Sequence, residues 1–211
     1  MNRSLRHYRF LIELLQPLLL MLVLAGCSTP PSLPMLAGDA TILAFGDSLT
    51  HGTGTTRDQA YPARLQALIG RRVVNAGVPG ETTAQGRQRL PAALAEHRPD
   101  MVLLCLGGND FLRKRDPAAT RDDLAAMLEA LRERDIPVLL IAVPELMLLG
   151  GDHALYADLA ERYEVPLLSG ELNRILRDAE LKSDRVHANA AGYAQLAETV
   201  ATRLREAGAL P

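Results

Sequence analysis

The chain has no tryptophan, three phenylalanines and five tyrosines among its 211 residues. A single-stranded nucleic-acid surface stacks bases on aromatic rings set among basic side chains. Neither ingredient is here: 23 Lys and Arg stand against 25 Asp and Glu, mixed along the chain for a formal net charge of −2. Nucleic acid is not an expected partner. The shortage of aromatics leaves the core to Leu, Val, Ile and Ala, which suits helices packed on a parallel sheet. Cysteine is scarce too, with only Cys27 and Cys105, and no Cys or His falls at metal-ligand spacing, so no metal is expected. Cys105 sits inside the apolar run Met101–Leu106 and reads as an inert core thiol.

Also missing is an apolar run of the ~20 residues that a membrane-spanning helix needs. The nearest approach, Leu14–Leu24, is short, broken by Pro17 and preceded by Arg3, Arg6 and Arg9. That is the layout of a signal peptide. It ends in Leu24-Ala25-Gly26-Cys27, which resembles a bacterial lipobox. The resemblance implies residues 1–26 as a lipoprotein signal peptide and Cys27 as a lipidated N-terminus, and hence a membrane anchor. Residues 27–38 are Pro- and Ser-rich and read as a tether. Ser28 after the cysteine resembles the sorting signal of outer-membrane lipoproteins, so the expected place is the periplasmic face of a bacterial outer membrane. Losing three arginines and Glu13 with the signal leaves a charge of −4. Attachment would then come from the lipid and not from an anionic surface.

Residues 39–211 read as one domain, on a prior of about 100–200 residues per domain. Apolar runs predict strands at Ile42–Phe45, Arg72–Asn75, Met101–Leu106, Pro137–Val143 and Val165–Leu168. Helical spacing falls between them at Tyr61–Leu68, Thr82–Glu96, Ala118–Arg134 and Ala154–Tyr163, then at Gly170–Arg177 and Ala190–Ala207. Pro91 is expected to kink or split the second helix. Alternation of this kind implies an α/β three-layer sandwich, with helices on both faces of a five-stranded parallel sheet. The expected order is the flavodoxin-like 2-1-3-4-5, with the crevice at the carboxyl edge.

That order brings distant loops to one edge. Ser48 follows strand one, Gly77 strand two, Asn109 strand three, and Asp184 and His187 follow strand five and its helix. Acyl transfer needs a nucleophile, a base, a group to orient the base and donors for the oxyanion. Ser48 supplies a hydroxyl and His187 an imidazole. Asp184, three residues earlier, is spaced to accept the Nδ1 proton and leave Nε2 toward the serine. Asn109 offers an amide and Gly77 an unshielded N–H. Singly, each has a plainer reading: a capping turn at Asp47-Ser48, a turn glycine, a capping Asn-Asp pair, a surface histidine. His51 is a rival base, but it would have to fold back sharply. His97 and His153 stand at helix ends, where capping is the default.

The blocks Gly46-Asp47-Ser48-Leu49-Thr50, Asn75-Ala76-Gly77, Gly107-Gly108-Asn109-Asp110 and Asp184-x-x-His187 resemble, in order, the four blocks of the SGNH (GDSL) hydrolase family. Residues 60–65 and 162–167 are similar to its arylesterase, lysophospholipase and acyl-CoA thioesterase I branch. The resemblance implies Ser48 as nucleophile, His187 as base and Asp184 as its orienter. Ser48, Gly77 and Asn109 would form the oxyanion hole, and no cofactor is implied. The implied reaction is hydrolysis of carboxylic esters or thioesters: aryl or short-to-medium acyl esters, or lysophospholipids. Leu146, Met147, Leu148 and Leu149 form an apolar stretch that would either line an acyl chain or fold inward onto a helix. Ala188 stands where the family commonly has proline, which loosens the expected constraint on the His187 loop. The competing expectations are a carbohydrate O-acetylesterase and a non-catalytic lipid- or glycan-binding lipoprotein.

Overall fold

Strands β3 (Met101–Cys105) and β4 (Val138–Ile141) are apolar at every position and buried at every position. Such strands belong in a sheet covered on both faces. β1 (Thr41–Gly46) lies beside β3, with only Thr41 partly exposed. β2 (Arg72–Gly77) and β5 (Leu167–Leu168) take the edges. All pairings are parallel, in the order β2-β1-β3-β4-β5. The structure is a computed structural model that describes residues 31–145 and 151–211. The signal-peptide, Cys27 and Leu146–Leu149 readings lie outside the described residues.

The helices are α1 (Ser48–His51), α2 (Tyr61–Ile69), α3 (Thr83–His97), α4 (Gly108–Leu112), α5 (Pro117–Arg132), α6 (Leu155–Tyr163), α7 (Glu171–Arg177) and α8 (Ala190–Glu206). α2 packs on α8, and α5 packs on α3 and α6. With the right-handed connections that parallel strands adopt, the order β2-β1-β3-β4-β5 puts these groups on opposite faces of the sheet. The three-layer expectation holds, in the expected strand order.

Several local expectations change. α3 runs unbroken through Pro91. A capping box starts it, Gln85 accepting from the Thr82 N–H at 3.0 Å and Thr82 from the Gln85 N–H at 3.5 Å. β2 continues past the expected end at Asn75, so Ala76 and Gly77 belong to the strand. The expected tether is docked from Leu33 on. Leu33 and Leu36 are buried, and their N–H groups donate to the carbonyls of Ala207 and Ala209 at 2.7 and 3.0 Å. The Arg71 guanidinium donates to the carbonyls of Leu36, Ala37 and Ile69. Among the described residues no helix is long and apolar enough to cross a membrane.

Candidate active site

The carboxyl edge of the sheet carries a cleft of about 260 Å³. β1 delivers Ser48 to it. Asp47 is the N-cap of α1: its Oδ1 accepts from the Leu49 N–H at 3.0 Å, which starts a helix at Ser48. The capping reading of this stretch is therefore met by Asp47, and Ser48 beside it lines the cleft. Ser48 is the first residue of α1, and its N–H has no hydrogen-bond partner among the described residues.

The loop between α7 and α8 brings the imidazole. His187 Nε2 lies 3.0 Å from Ser48 Oγ, and Nδ1 lies 2.8 Å from Asp184 Oδ2. The other oxygen of Asp184 accepts from the N–H groups of Val186 and His187 at 2.8 and 2.9 Å, closing the loop on itself. Burial raises the Asp184 carboxyl. The hydrogen bonds from the His187 ring and from these two N–H groups outweigh it and hold the carboxyl below its ordinary range. Ala188, standing in the usual proline's place, does not leave the loop slack. It is buried and pairs with Lys182 in an isolated bridge, and Ser183 N–H donates to the His187 carbonyl. Asn189 then caps α8 while its amide donates to the carbonyls of Glu180 and Lys182.

Asn109, in α4, stands on the cleft wall. Its Nδ2 donates to the Glu81 carbonyl at 3.0 Å and to Asp47 Oδ2 at 3.2 Å. Asp47 is 1% exposed. Burial pushes its carboxyl from 3.8 to about 7, against the lowering effects of the Leu49 N–H, His187 and the Asn109 amide, while Glu81 adds to the rise.

Gly77 is not placed in the cleft. Its N–H donates to Asn75 Oδ1 at 3.0 Å, and a Cβ there would run into the His51 backbone, so this glycine serves close packing of β2 on α1. The glycine on the cleft wall is Gly80. It follows Pro79 in a turn closed by Glu81 N–H on the Val78 carbonyl at 3.1 Å, with φ of 80°, as the third position of a type II turn requires. Its N–H has no partner among the described residues. The Pro-Gly dipeptide was the available signal for it.

Among the described residues, none of the other histidines hydrogen-bonds to Ser48. His51 Nδ1 is buried without a partner, His153 stacks on Phe111 with centroids 5.2 Å apart, and His97 lies 3.7 Å from Glu96. Cys105 is buried, and burial pushes its thiol well up, as a core side chain. The rest of the cleft wall is largely apolar, with Leu49, Leu112, Val143, Pro144, Leu176 and Val186. Leu112 is 51% exposed.

Residues 44–195 match the family described as GDSL-like lipase/acylhydrolase. The chain is 39% identical to esterase TesA of Pseudomonas aeruginosa over 127 residues, covering 58% of this chain and 63% of that one, somewhat under two thirds of its length. It is 33% identical to thioesterase 1/protease 1/lysophospholipase L1 of Escherichia coli over 173 residues, covering 78% and 83%. Among solved structures, the crystal structure of TesA superposes with a TM-score of 0.71 at 30% identity, covering 79% of this chain and 99% of that one.

Proposed function

The chain belongs to the GDSL-like lipase/acylhydrolase family and is a carboxylic ester hydrolase, and on that premise we propose that Ser48 is its nucleophile, His187 its general base and Asp184 the orienter of that base. The carrying observation is the unbroken chain from Ser48 Oγ through both nitrogens of His187 to Asp184 Oδ2 at the cleft. Ser48 attacks the acyl carbonyl carbon, and His187 takes the hydroxyl proton and passes it to the departing alcohol or thiol. The acyl-enzyme is then cleared by water, activated by the same imidazole. The oxyanion is held by the N–H groups of Ser48 and Gly80 and by the Asn109 amide, with Gly80 taking the role first expected of Gly77.

The apolar wall formed by Leu49, Leu112, Val143, Leu176 and Val186 favours an acyl or aryl group over a sugar. The substrates proposed are aryl or short-to-medium acyl esters, with lysophospholipids and thioesters in the same class. Labelling by a fluorophosphonate is expected to vanish in Ser48→Ala, together with hydrolysis of p-nitrophenyl octanoate. Retained labelling or turnover would remove Ser48 from the mechanism. A strong preference for p-nitrophenyl acetate would replace the acyl-chain reading by an O-acetylesterase. Turnover is expected to fall toward acid pH, since the base must be neutral; a flat rate from pH 5 to 8 speaks against His187. We further propose that Cys27 carries the lipid of an envelope lipoprotein, on the strength of Leu24-Ala25-Gly26-Cys27. Mass spectrometry of the mature N-terminus tests it, and an unmodified Cys27 would refute it.

A further inference from the structure

Asp47 is an expensive residue. It is 1% exposed, and among the described residues no Lys or Arg makes an ion pair with it. Burying a carboxyl without a cation costs stability. Capping the four-residue α1 does not demand that cost, because a serine caps about as well as an aspartate with no charge to desolvate. What serine lacks is a second acceptor, and that is the part of Asp47 left to explain.

The second oxygen goes to Asn109. A carboxamide has two ends of nearly the same size, and only the nitrogen end stabilises an oxyanion. Here the nitrogen meets two acceptors, Asp47 Oδ2 at 3.2 Å and the Glu81 carbonyl at 3.0 Å. With the carboxyl ionised, as it becomes when the pH rises through about 7, both repel the oxygen end, so together they select which way the amide faces. Aspartate is the side chain of this length that accepts at both ends. Asparagine would set an N–H against either the Leu49 N–H or the Asn109 amide, losing one of the two bonds.

We propose that Asp47 is the positioning residue of Asn109, holding the amide nitrogen of Asn109 toward the cleft while the other carboxylate oxygen fixes the start of α1 and thus Ser48. The inference rests on Asn109 as an oxyanion donor. As negative charge forms on the substrate oxygen, the N–H held by the longer bond to Asp47 is shared with it. One buried carboxyl thereby aligns the nucleophile and a donor that stands 62 residues away in the chain.

The test is a mutant cycle on the full chain, with p-nitrophenyl esters as substrate. Asn109→Ala is expected to lower kcat about 10²–10³-fold, as loss of one oxyanion donor does. Asp47→Asn and Asp47→Ser are expected to lower kcat about tenfold to a hundredfold with KM within about twofold. In the Asn109→Ala background neither should change kcat by more than about twofold, since the residue they act through is gone. Asp47→Ser keeps the helix cap, so it carries the test if Asp47→Asn does not fold. If Asn109→Ala is crippled while Asp47→Ser keeps full kcat, or if their losses multiply, the positioning role is overturned. If Asn109→Ala keeps full kcat, the oxyanion reading falls and this inference with it. The nucleophile assignment stands or falls separately, on Ser48→Ala.

Discussion

Asp47 and Asp184 are two carboxyls near the same serine, and their environments push them in opposite directions. Asp184 is held below its ordinary range, so its contribution to stability is present above that range and is lost as the pH falls. Asp47 is raised from 3.8 to about 7 by burial, so the folded state binds its proton more tightly than the unfolded state does. Its contribution is therefore full below the unfolded value and is lost as the pH rises through about 7. Removing the carboxyl should relieve that loss. We expect Asp47→Ser to gain on the wild type, on the order of 2 kcal/mol, between pH 5 and pH 8. Denaturant unfolding at the two pH values measures it, and an equal stability difference at both would show that the carboxyl is not raised. A variant that is relatively more stable at pH 8 but slower in kcat would be hard to explain by damage to the fold.

At the scale of elements, what could be read in advance depended on length and pattern. β3 and β4 announce themselves by unbroken apolar runs, and α5 by Leu124, Leu128 and Leu131, all three buried. α1 and α4, of four and five residues, are too short to show a helical period, so Ser48 and Asn109 read only as loop residues. Gly77 falls outside the cleft for a related reason. Ala76-Gly77-Val78-Pro79-Gly80 has a loop-like composition, but parallel pairing with β1 carries the strand through to Gly77 and leaves only the turn at Pro79-Gly80 outside it. Pro91 is the opposite case, a strong local signal overruled by packing: Leu90, Ala93 and Leu94 on either side of it are buried, which holds α3 together across the proline. The missing N–H is still a cost. Pro91→Ala, at an exposed position, should raise stability by about 1–2 kcal/mol, the helix gain less the entropy returned to the unfolded chain. A thermal scan reads this directly; a lower Tm would mean that the ring makes a packing contribution of its own. Turnover should not change.

Across the whole domain the two edges of the sheet have separate duties. The carboxyl edge holds the cleft, whereas the residues leading into β4 and β5 line a second hollow together with Ser32, Leu33 and Pro34. The segment read as a tether is thus structural from Leu33 onward: two buried leucines, two backbone hydrogen bonds to the chain after α8, and three carbonyl contacts from Arg71. A Pro- and Ser-rich composition could not disclose this, because the burial depends on two side chains meeting the far end of the chain. Leu36→Ala should cost about 2–3 kcal/mol, the lower part of the range for a buried leucine, since the edge can partly collapse. For a domain of this size that is a fall in Tm of about 5–10 °C. Because the hydrogen bonds of Ser48, His187 and Asp184 do not pass through this segment, kcat/KM below the transition should stay within about twofold of the wild type. An unchanged Tm would mean that Leu36 is not held in solution as described. A large loss of kcat/KM at unchanged Tm would mean that the two edges communicate, and the division of duties would have to be given up.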